Sequence, residues 1–257
     1  MYKHLTSNEM KKRLMLPKNY RVDACIAYGT YNKTQYNEEF LSLIKSKKYK
    51  REILKYDFLK DIVSVKINNK RIWFFVEYGS ARLSEIFHFA SLFGSKINVL
   101  IGSCGALKKD LDKFAVIIPT YSYSTESSAH MYLRNTKDNL FYPDKKLSKE
   151  IIKKLKETAK VVSGPIVTCQ AMMGETWKDI LDWSKKGFYG VEMESSTLFA
   201  VSKHFKVPAA AILGIADNLI EKEIVGDKSF QEKKERVRKI RNSLLKVVLE
   251  TCLKKIS

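Results

Sequence analysis

Two carboxylates stand at the ends of two apolar segments in this chain. Glu194 closes the run GVEME at residues 190–194, and Asp217 closes the run LGIAD at residues 213–217. A charge in such surroundings costs several kcal/mol unless a partner satisfies it. The carboxylate of Glu194 can accept hydrogen bonds from neighbouring hydroxyls of a sugar. Asp217 is a candidate general acid for a leaving group.

The residues alone also allow a structural role for each carboxylate. Glu192 and Glu194 precede a predicted helix, where negative charge is favoured by the helix dipole. Asp217 is followed by Asn218, and the two residues together are typical of a turn. Neither position decides between a structural and a chemical role.

Two glycine-containing segments follow predicted strands. Residues 102–106, with the sequence GSCGA, offer backbone N–H groups and the Ser103 hydroxyl to an oxyanion such as phosphate. Residues 28–33, with the sequence YGTYNK, end in the cation Lys33. Each segment alone is equally compatible with a plain turn. Together they point to the carboxyl edge of an open α/β sheet, where ligands bind.

The elements that would position these residues alternate between strands and helices. Strands are expected at residues 23–28, 62–67, 71–76, 97–101, 115–119, 166–169 and 209–215, and helices at 36–47, 83–93, 147–160, 195–205 and 230–253. The intervening NNK at residues 68–70 predicts a hairpin. This alternation favours a mostly parallel sheet covered on both faces. Because no repeat, low-complexity linker or Pro/Gly hinge divides the sequence, we expect one domain over residues 1–257.

The chain is strongly basic, with 47 Lys and Arg against 28 Asp and Glu and a formal net charge of +19. The lysines are spread along the chain, with modest clusters at residues 45–51, 145–156 and 233–241. This distribution favours a solvated surface that attracts anionic substrates over a nucleic-acid partner.

The four cysteines lie far apart and form no CxxC motif, so the sequence indicates neither a zinc site nor a disulfide framework. Free cysteines in apolar runs point to a reducing compartment. The amino-terminal residues show no apolar signal segment, and no apolar run reaches membrane-spanning length. We therefore expect a cytoplasmic protein without a membrane partner.

In their order along the chain, these motifs resemble the nucleoside phosphorylase and nucleosidase family, which includes purine nucleoside phosphorylases, uridine phosphorylases and methylthioadenosine nucleosidases. The resemblance is carried by IGSCGAL at residues 101–107, VEME at 191–194 and GIAD at 214–217. It implies a single α/β domain with a central mixed sheet flanked by helices. It also implies a homo-oligomer, a dimer or hexamer, with sites at the dimer interface.

The chemistry implied by the resemblance is cleavage of an N-glycosidic bond through an oxocarbenium-like sugar, which phosphate or water then attacks. Asp217 would be the catalytic residue that protonates the departing purine ring. Inorganic phosphate would be a co-substrate, and the resemblance implies Gly29, Lys33, Ser103 and, from across a dimer, Arg51 as its ligands. The nucleoside would be bound by His4, Tyr78, Met172, Met173, Glu192, Met193 and Glu194. Neither a metal nor an organic cofactor is implied.

Two departures from the family pattern bear on the substrates. Leu100 stands where phosphorylases of this family usually carry an arginine, the bidentate phosphate ligand. We hypothesise that Arg82 compensates for this loss. Met172 and Met173 align with the aromatic residue that commonly stacks on the base, and a thioether can also pack on a base face. Tyr78, Tyr123 and Trp177 are the alternatives that would supply an aromatic ring instead.

The first hypothesis is therefore phosphorolysis of a purine nucleoside to free base and ribose 1-phosphate. Asp217 favours a purine because the pyrimidine-specific members that can be compared lack an acid there. Leu100 favours an alternative, hydrolysis of the same bond by a nucleosidase of the methylthioadenosine type. A uridine phosphorylase and a non-catalytic nucleoside- or nucleic-acid-binding protein are further alternatives.

Overall fold

Strands β1 (Ala24–Gly29) and β4 (Lys70–Glu77) pair in parallel, and nearly every residue of both is buried. Their side chains alternate between two core clusters. Ile26 and Phe74 belong to one cluster, whereas Cys25 and Phe75 belong to the other. An apolar strand with this period of two needs cover on both faces, which helices supply.

The computed structural model describes residues 2–112, 114–125, 127–134, 138–223 and 228–256, without the side chains of residues 228–239 and 241. The other strands are β2 (Tyr49–Glu52), β3 (Val63–Ile67), β5 (Asn98–Ala106), β6 (Ala115–Tyr123), β7 (Leu140–Phe141), β8 (Lys160–Thr168), β9 (Gly190–Glu192) and β10 (Ala209–Asn218). The helices are α1 (Ser7–Arg13), α2 (Lys33–Ile44), α3 (Ser80–Leu92), α4 (Ala129–Tyr132), α5 (Lys145–Leu155), α6 (Trp177–Lys185), α7 (Ser195–His204) and α8 (Lys228–Ile256). Short 3₁₀ turns lie at Tyr2–His4, Asp57–Leu59, Met172–Gly174 and Leu219–Glu221.

The strands form one mixed sheet, part of which closes into a ring. Strands β5, β10, β6, β8 and β9 are hydrogen-bonded in this order, and β9 pairs back to the end of β5. From β5 the sheet continues through β1, β4, β3 and β2. The neighbours β1, β4, β5 and β10 run in parallel, so their carboxyl ends meet at one edge.

Helices cover both faces of the sheet. Helices α2, α5 and α8 pack on one face, and α3, α4 and α7 pack on the other. Burial of this apolar surface is the main stabilising contribution to the fold. The predicted α/β class with a central mixed sheet flanked by helices is confirmed.

Most predicted elements are present, with shifted boundaries. The hairpin is confirmed, since β3 and β4 pair in antiparallel fashion and Asn68 and Asn69 adopt positive φ angles of 50° and 62°. The predicted helix 147–160 ends earlier, at Leu155, because β8 already begins at Lys160. The side chains of the basic cluster 233–241 lie outside the described residues, except that of Ile240.

One predicted loop is wrong. Residues 102–106 are not a glycine loop after a strand but the last part of β5 itself. They pair with β10 on one side, and Gly105 and Ala106 pair with β9 on the other. These ladders account for an extended conformation that the small residues alone would not favour.

Each of the four cysteines is a free thiol. Cys25, Cys104 and Cys252 are buried, and burial raises the pKa of each thiol. Within the described part of the chain, no helix combines the length and apolarity needed to cross a membrane.

Candidate active site

A pocket opens at the edge of the sheet where β1, β4, β5, β9 and β10 end. It has a volume of about 570 Å³, including the open space at its mouth. Most of the predicted site residues line it: Gly29, Tyr78, Ser103, Met172, Glu192, Met193, Glu194 and Asp217. The parallel order of β4, β1, β5 and β10 brings these distant segments together, as expected for an α/β sheet.

Glu194 lies between β9 and α7, and only 4% of it is exposed. One carboxyl oxygen, Oε1, accepts the backbone N–H of Gly79 at 2.6 Å. Gly79 has a φ of +87°, which glycine adopts without strain. Burial, followed by the charge of Glu192, raises the pKa of Glu194 to about 8. A carboxyl group held at this cost suits a ligand that brings its own hydroxyl donors.

Glu192 has a different environment, although it lines the same pocket. Its carboxylate accepts the backbone N–H groups of Glu194 and Ser195, each at 2.8 Å. It also accepts the hydroxyls of Thr168 at 2.5 Å and Ser195 at 2.7 Å. These four bonds fix the turn from β9 into α7. The geometry therefore favours positioning of Glu194 as the role of Glu192, and its contact with a nucleoside stays a prediction.

Asp217 lies near the end of β10, and 8% of it is exposed. The β5–β10 register shifts between Ile215 and Asp217, and such irregularities re-aim side chains near active sites. The missing side chain of Gly105 leaves space for the carboxylate, since a Cβ there would lie 3.3 Å from Asp217 Oδ1. The charge of Asp217 contributes to the raised pKa of Cys104 and of Glu175.

Glu175 also lines the pocket, although it is not among the predicted site residues. It follows the 3₁₀ turn Met172–Gly174, directly before the capping box that starts α6. Burial raises its pKa to about 7, and the charges of Asp217 and Asp179 add to this increase. A hydrogen bond from Cys169 acts in the opposite direction and lowers the pKa. In the local sequence, only the position of this carboxylate directly before a capped helix could have indicated that Glu175 belongs to the site.

Tyr78 and Met172 form one wall of the pocket. The Tyr78 hydroxyl donates to the sulfur of Met172 at 3.8 Å, and both side chains are partly exposed toward the pocket. Burial, followed by the charge of Glu194, raises the pKa of Tyr78. Met173 does not line the pocket and is 91% exposed.

Lys33 and Arg82, both predicted phosphate ligands, do not line the pocket. Lys33 Nζ lies 3.0 Å from Glu77 Oε1 and 3.3 Å from Asp61 Oδ2. Arg82 lies 3.7 Å from the same oxygen of Glu77, donates to the Phe58 carbonyl and stacks on the Phe58 ring. Their role in binding phosphate stays a prediction.

The structure also places His4 and Arg51 away from this pocket. His4 is exposed in the turn Tyr2–His4, and Arg51 is exposed on the edge strand β2. The resemblance assigned both to a site across a dimer interface. That assignment stays a prediction.

Gly29 leaves the space that the Glu194 carboxylate occupies. A Cβ at Gly29 would lie 3.0 Å from Glu194 Oε2 and 3.6 Å from Leu100 Cδ1. We therefore expect Gly29→Ala to displace this carboxylate and to weaken ligand binding in the pocket by about tenfold. Isothermal titration calorimetry with inosine or adenosine, nucleosides of the kind that the resemblance implies, measures the change.

Gly214→Ala is the matched control, because a Cβ there would have, among the described residues, only the Gly102 carbonyl oxygen within 4 Å, at 3.9 Å. It introduces the same methyl group on β10, which is separated from β1 by β5, and is expected to leave ligand affinity unchanged. Equal losses in both variants would mean that the methyl group acts through general stability. A melting curve for each protein separates these cases.

Residues 79–253 match the family model described as the phosphorylase superfamily. Among curated relatives, a DeoD-type purine nucleoside phosphorylase of Vibrio vulnificus is 28% identical over 162 residues, 63% of this chain and 65% of that protein. A guanosine phosphorylase of Halorubrum lacusprofundi is 25% identical over 138 residues, 53% of this chain and 56% of that protein. The chain thus spans less than two thirds of the length of these relatives.

Two solved structures share the fold. A 5′-methylthioadenosine/S-adenosyl homocysteine nucleosidase of Campylobacter jejuni has a TM-score of 0.71 at 16% identity, covering 91% of this chain and 99% of that one. A uridine phosphorylase of Vibrio fischeri has a TM-score of 0.68 at 19% identity, covering 89% and 95%. At these identities the likeness concerns the fold alone.

Proposed function

This chain belongs to the phosphorylase superfamily, and from that premise we propose that it cleaves the N-glycosidic bond of a purine nucleoside with inorganic phosphate as acceptor. The products would be the free base and ribose 1-phosphate. The observation that carries the proposal is the pocket that holds both Glu194 and Asp217. Two buried carboxyl groups on one pocket suit a reaction that binds a sugar and protonates a leaving group.

Each carboxyl group has a separate task in this reaction. Glu194 accepts hydrogen bonds from ribose hydroxyls and stabilises the positive charge that develops on the sugar. Asp217 donates a proton to the purine as the bond breaks, so that the base leaves in neutral form. Ser103, on β5, provides a hydroxyl for the attacking phosphate.

A purine is the proposed base for two reasons. Asp217 is the type of residue that a purine leaving group requires, and Tyr78 with Met172 offers an aromatic and thioether wall for a flat ring. The curated relatives are named as purine nucleoside and guanosine phosphorylases, which supports the same class of substrate.

Hydrolysis is the second candidate, and a specific observation favours it. None of the described residues lining the pocket is a lysine, arginine or histidine. Leu100 is fully buried and supplies no charge, and Lys33 and Arg82 are paired with Glu77. A site without an available cation accepts water more readily than a phosphate dianion.

The test measures release of free base from inosine, adenosine, methylthioadenosine and uridine, each with and without inorganic phosphate. We expect turnover of a purine nucleoside to require phosphate and to yield ribose 1-phosphate. Equal turnover without phosphate would establish hydrolysis instead. Release of uracil alone would overturn the purine assignment, and cleavage of none of the four would contradict the proposed function.

We further propose that residues 1–257 form one catalytic domain and that the chain assembles as a homo-oligomer, in which His4 and Arg51 reach the site of a neighbouring subunit. The cytoplasm is the proposed compartment. Loss of activity on dilution, reversed at higher protein concentration, would support the assembly.

A further inference from the structure

Glu77 is a buried carboxylate that the proposed reaction does not use. It ends β4, and only 7% of it is exposed. Its Oε1 lies 3.0 Å from Lys33 Nζ and 3.7 Å from Arg82 Nε. One oxygen atom thus faces the two cations predicted to bind phosphate.

The contact with Glu77 also affects the protonation of Lys33. Burial acts to lower the pKa of Lys33, but the hydrogen bonds and charges of Glu77 and then Asp61 outweigh burial and raise it. The side chain of Lys33 is 43% exposed and that of Glu77 only 10%, so this ion pair is less screened by solvent than a pair of fully exposed groups.

Glu77 also lies directly beside the pocket wall. It is the register partner of Gly29, and its carbonyl accepts the N–H of Thr30 at 3.1 Å. The next residue, Tyr78, lines the pocket, and Gly79 donates to Glu194. Lys33 and Arg82 therefore stand next to the wall, on the first turns of α2 and α3.

An entering phosphate needs these cations because the pocket itself is acidic. Glu175, Glu192, Glu194 and Asp217 all line it, and no described lining residue is cationic. A carboxylate and a phosphate oxygen bind ammonium and guanidinium groups with the same geometry. Glu77 thus already binds Lys33 and Arg82, the two cations that phosphate would bind.

We propose that Glu77 sets the affinity for the phosphate co-substrate, because its carboxylate acts as an internal counter-ion of Lys33 and Arg82 that phosphate must displace. This inference rests on the proposed function, in which phosphate is the acceptor. The native protein is therefore expected to bind phosphate weakly. When the phosphate concentration is low, water then competes with phosphate as the acceptor of the ribosyl group.

Glu77→Gln tests the proposal, with inorganic phosphate as the probe in isothermal titration calorimetry of the full chain. Glutamine keeps the shape of the Glu77 side chain and removes its negative charge. We expect phosphate to bind about tenfold more tightly than to the native protein, since two charge-assisted contacts become available. The KM for phosphate in nucleoside cleavage should fall by a similar factor while the KM for inosine changes little.

Asp61→Asn is the matched control. Asp61 also contacts Lys33, but 44% of its side chain is exposed, and the substitution changes the net charge by the same amount. We expect less than about a twofold change in phosphate affinity. An equal gain in both variants would show a general charge effect and would overturn the role of Glu77.

Two further variants complete the test. Lys33→Ala in the Glu77→Gln background should abolish the gain, and a gain that persists without Lys33 would contradict the proposal. If Glu77→Gln does not fold, Glu77→Asp withdraws the carboxylate by one methylene, and phosphate affinity should still rise about twofold. Unchanged or weaker phosphate binding in the folded variants would overturn the inference.

The calorimetry does not depend on turnover, so it separates this inference from the proposed function. Nucleoside cleavage without any change in phosphate binding would refute only the role of Glu77. Tighter phosphate binding in a protein that cleaves no nucleoside would uphold that role and refute only the reaction.

Discussion

Replacement of Asp217 by asparagine is expected to lower kcat for inosine cleavage by about 10³-fold, because general acid catalysis contributes ~10²–10⁴-fold. Asparagine retains the shape of the side chain beside Gly105 but cannot transfer a proton to the purine. The KM for inosine should stay within about threefold, since the carboxyl group acts mainly in the transition state. Steady-state release of free base from the purified variant measures both constants.

A substrate that needs no protonation provides the control for this prediction. p-Nitrophenyl β-D-ribofuranoside carries a leaving group that departs as a stable anion, so an acid contributes little to its cleavage. Asp217→Asn should therefore cleave it at nearly the native rate. Equal losses on inosine and on this substrate would mean that Asp217 supports the pocket or the fold and does not act as the acid.

The two principal carboxyl groups could be predicted because each stands at the end of an apolar run. Such a run predicts a buried strand, and burial of a charge at its end costs enough free energy that a binding partner for the charge is expected. The structure places both Glu194 and Asp217, with small exposed fractions of 4% and 8%, on one pocket. The sequence could not distinguish Glu192 from Glu194, because their difference lies in donors contributed by Thr168 and Ser195.

The conformation of residues 102–106 could not be predicted from local sequence. Glycine, serine and cysteine in succession are typical of a turn. The segment is extended because β10 and β9 supply hydrogen-bond partners from residues more than 80 positions away. Such long-range pairing overrides local preference, and periodicity within the segment carries no sign of it.

The environment of Lys33 shows a second limit of sequence reasoning. The resemblance assigned it to phosphate by position, which takes no account of neighbouring charges. Glu77, 44 residues further along, reaches it only because β1 and β4 pair in register. A carboxylate at the end of an apolar strand was visible in the sequence here too, but its partner was not.

Glu194→Gln is expected to stabilise the protein at alkaline pH while it impairs nucleoside binding. The unfolded chain loses the Glu194 proton near the ordinary pKa of 4.5, whereas the folded protein retains it up to about 8. The free energy of unfolding therefore decreases as the pH rises through this window and levels off above it. One pKa unit corresponds to ~1.4 kcal/mol, so we expect the variant to gain roughly 2 kcal/mol or more at pH 8 relative to pH 5.

The same substitution should raise the KM for inosine by about tenfold or more, because glutamine has one acceptor oxygen where the ionised carboxylate has two. In the native protein, inosine affinity should increase from pH 6.5 to pH 8.5, since hydroxyl donors bind the ionised form and the pKa of Glu194 is about 8. Glu194→Gln should remove the contribution of Glu194 to this pH dependence, whereas the contribution of Glu175, whose pKa is about 7, remains. Urea unfolding and inosine titration at several pH values measure the two effects on the same samples.

Glu192→Gln is the control for Glu194→Gln, because Glu192 stabilises the turn into α7 whereas Glu194 is proposed to bind the ligand. Oε2 of Glu192 accepts the backbone N–H groups of Glu194 and Ser195, and Oε1 accepts the hydroxyls of Thr168 and Ser195. A glutamine amide that keeps its oxygen on the two N–H groups turns its NH2 group toward the two hydroxyls, which then lose their acceptor. We expect destabilisation by about 2 kcal/mol or more, the opposite sign from Glu194→Gln, because two buried hydroxyls must reorient and the N–H groups lose a charged acceptor. If both variants destabilise the protein to the same extent at pH 8, Glu194 is a structural residue, and its burial has no relation to a ribose.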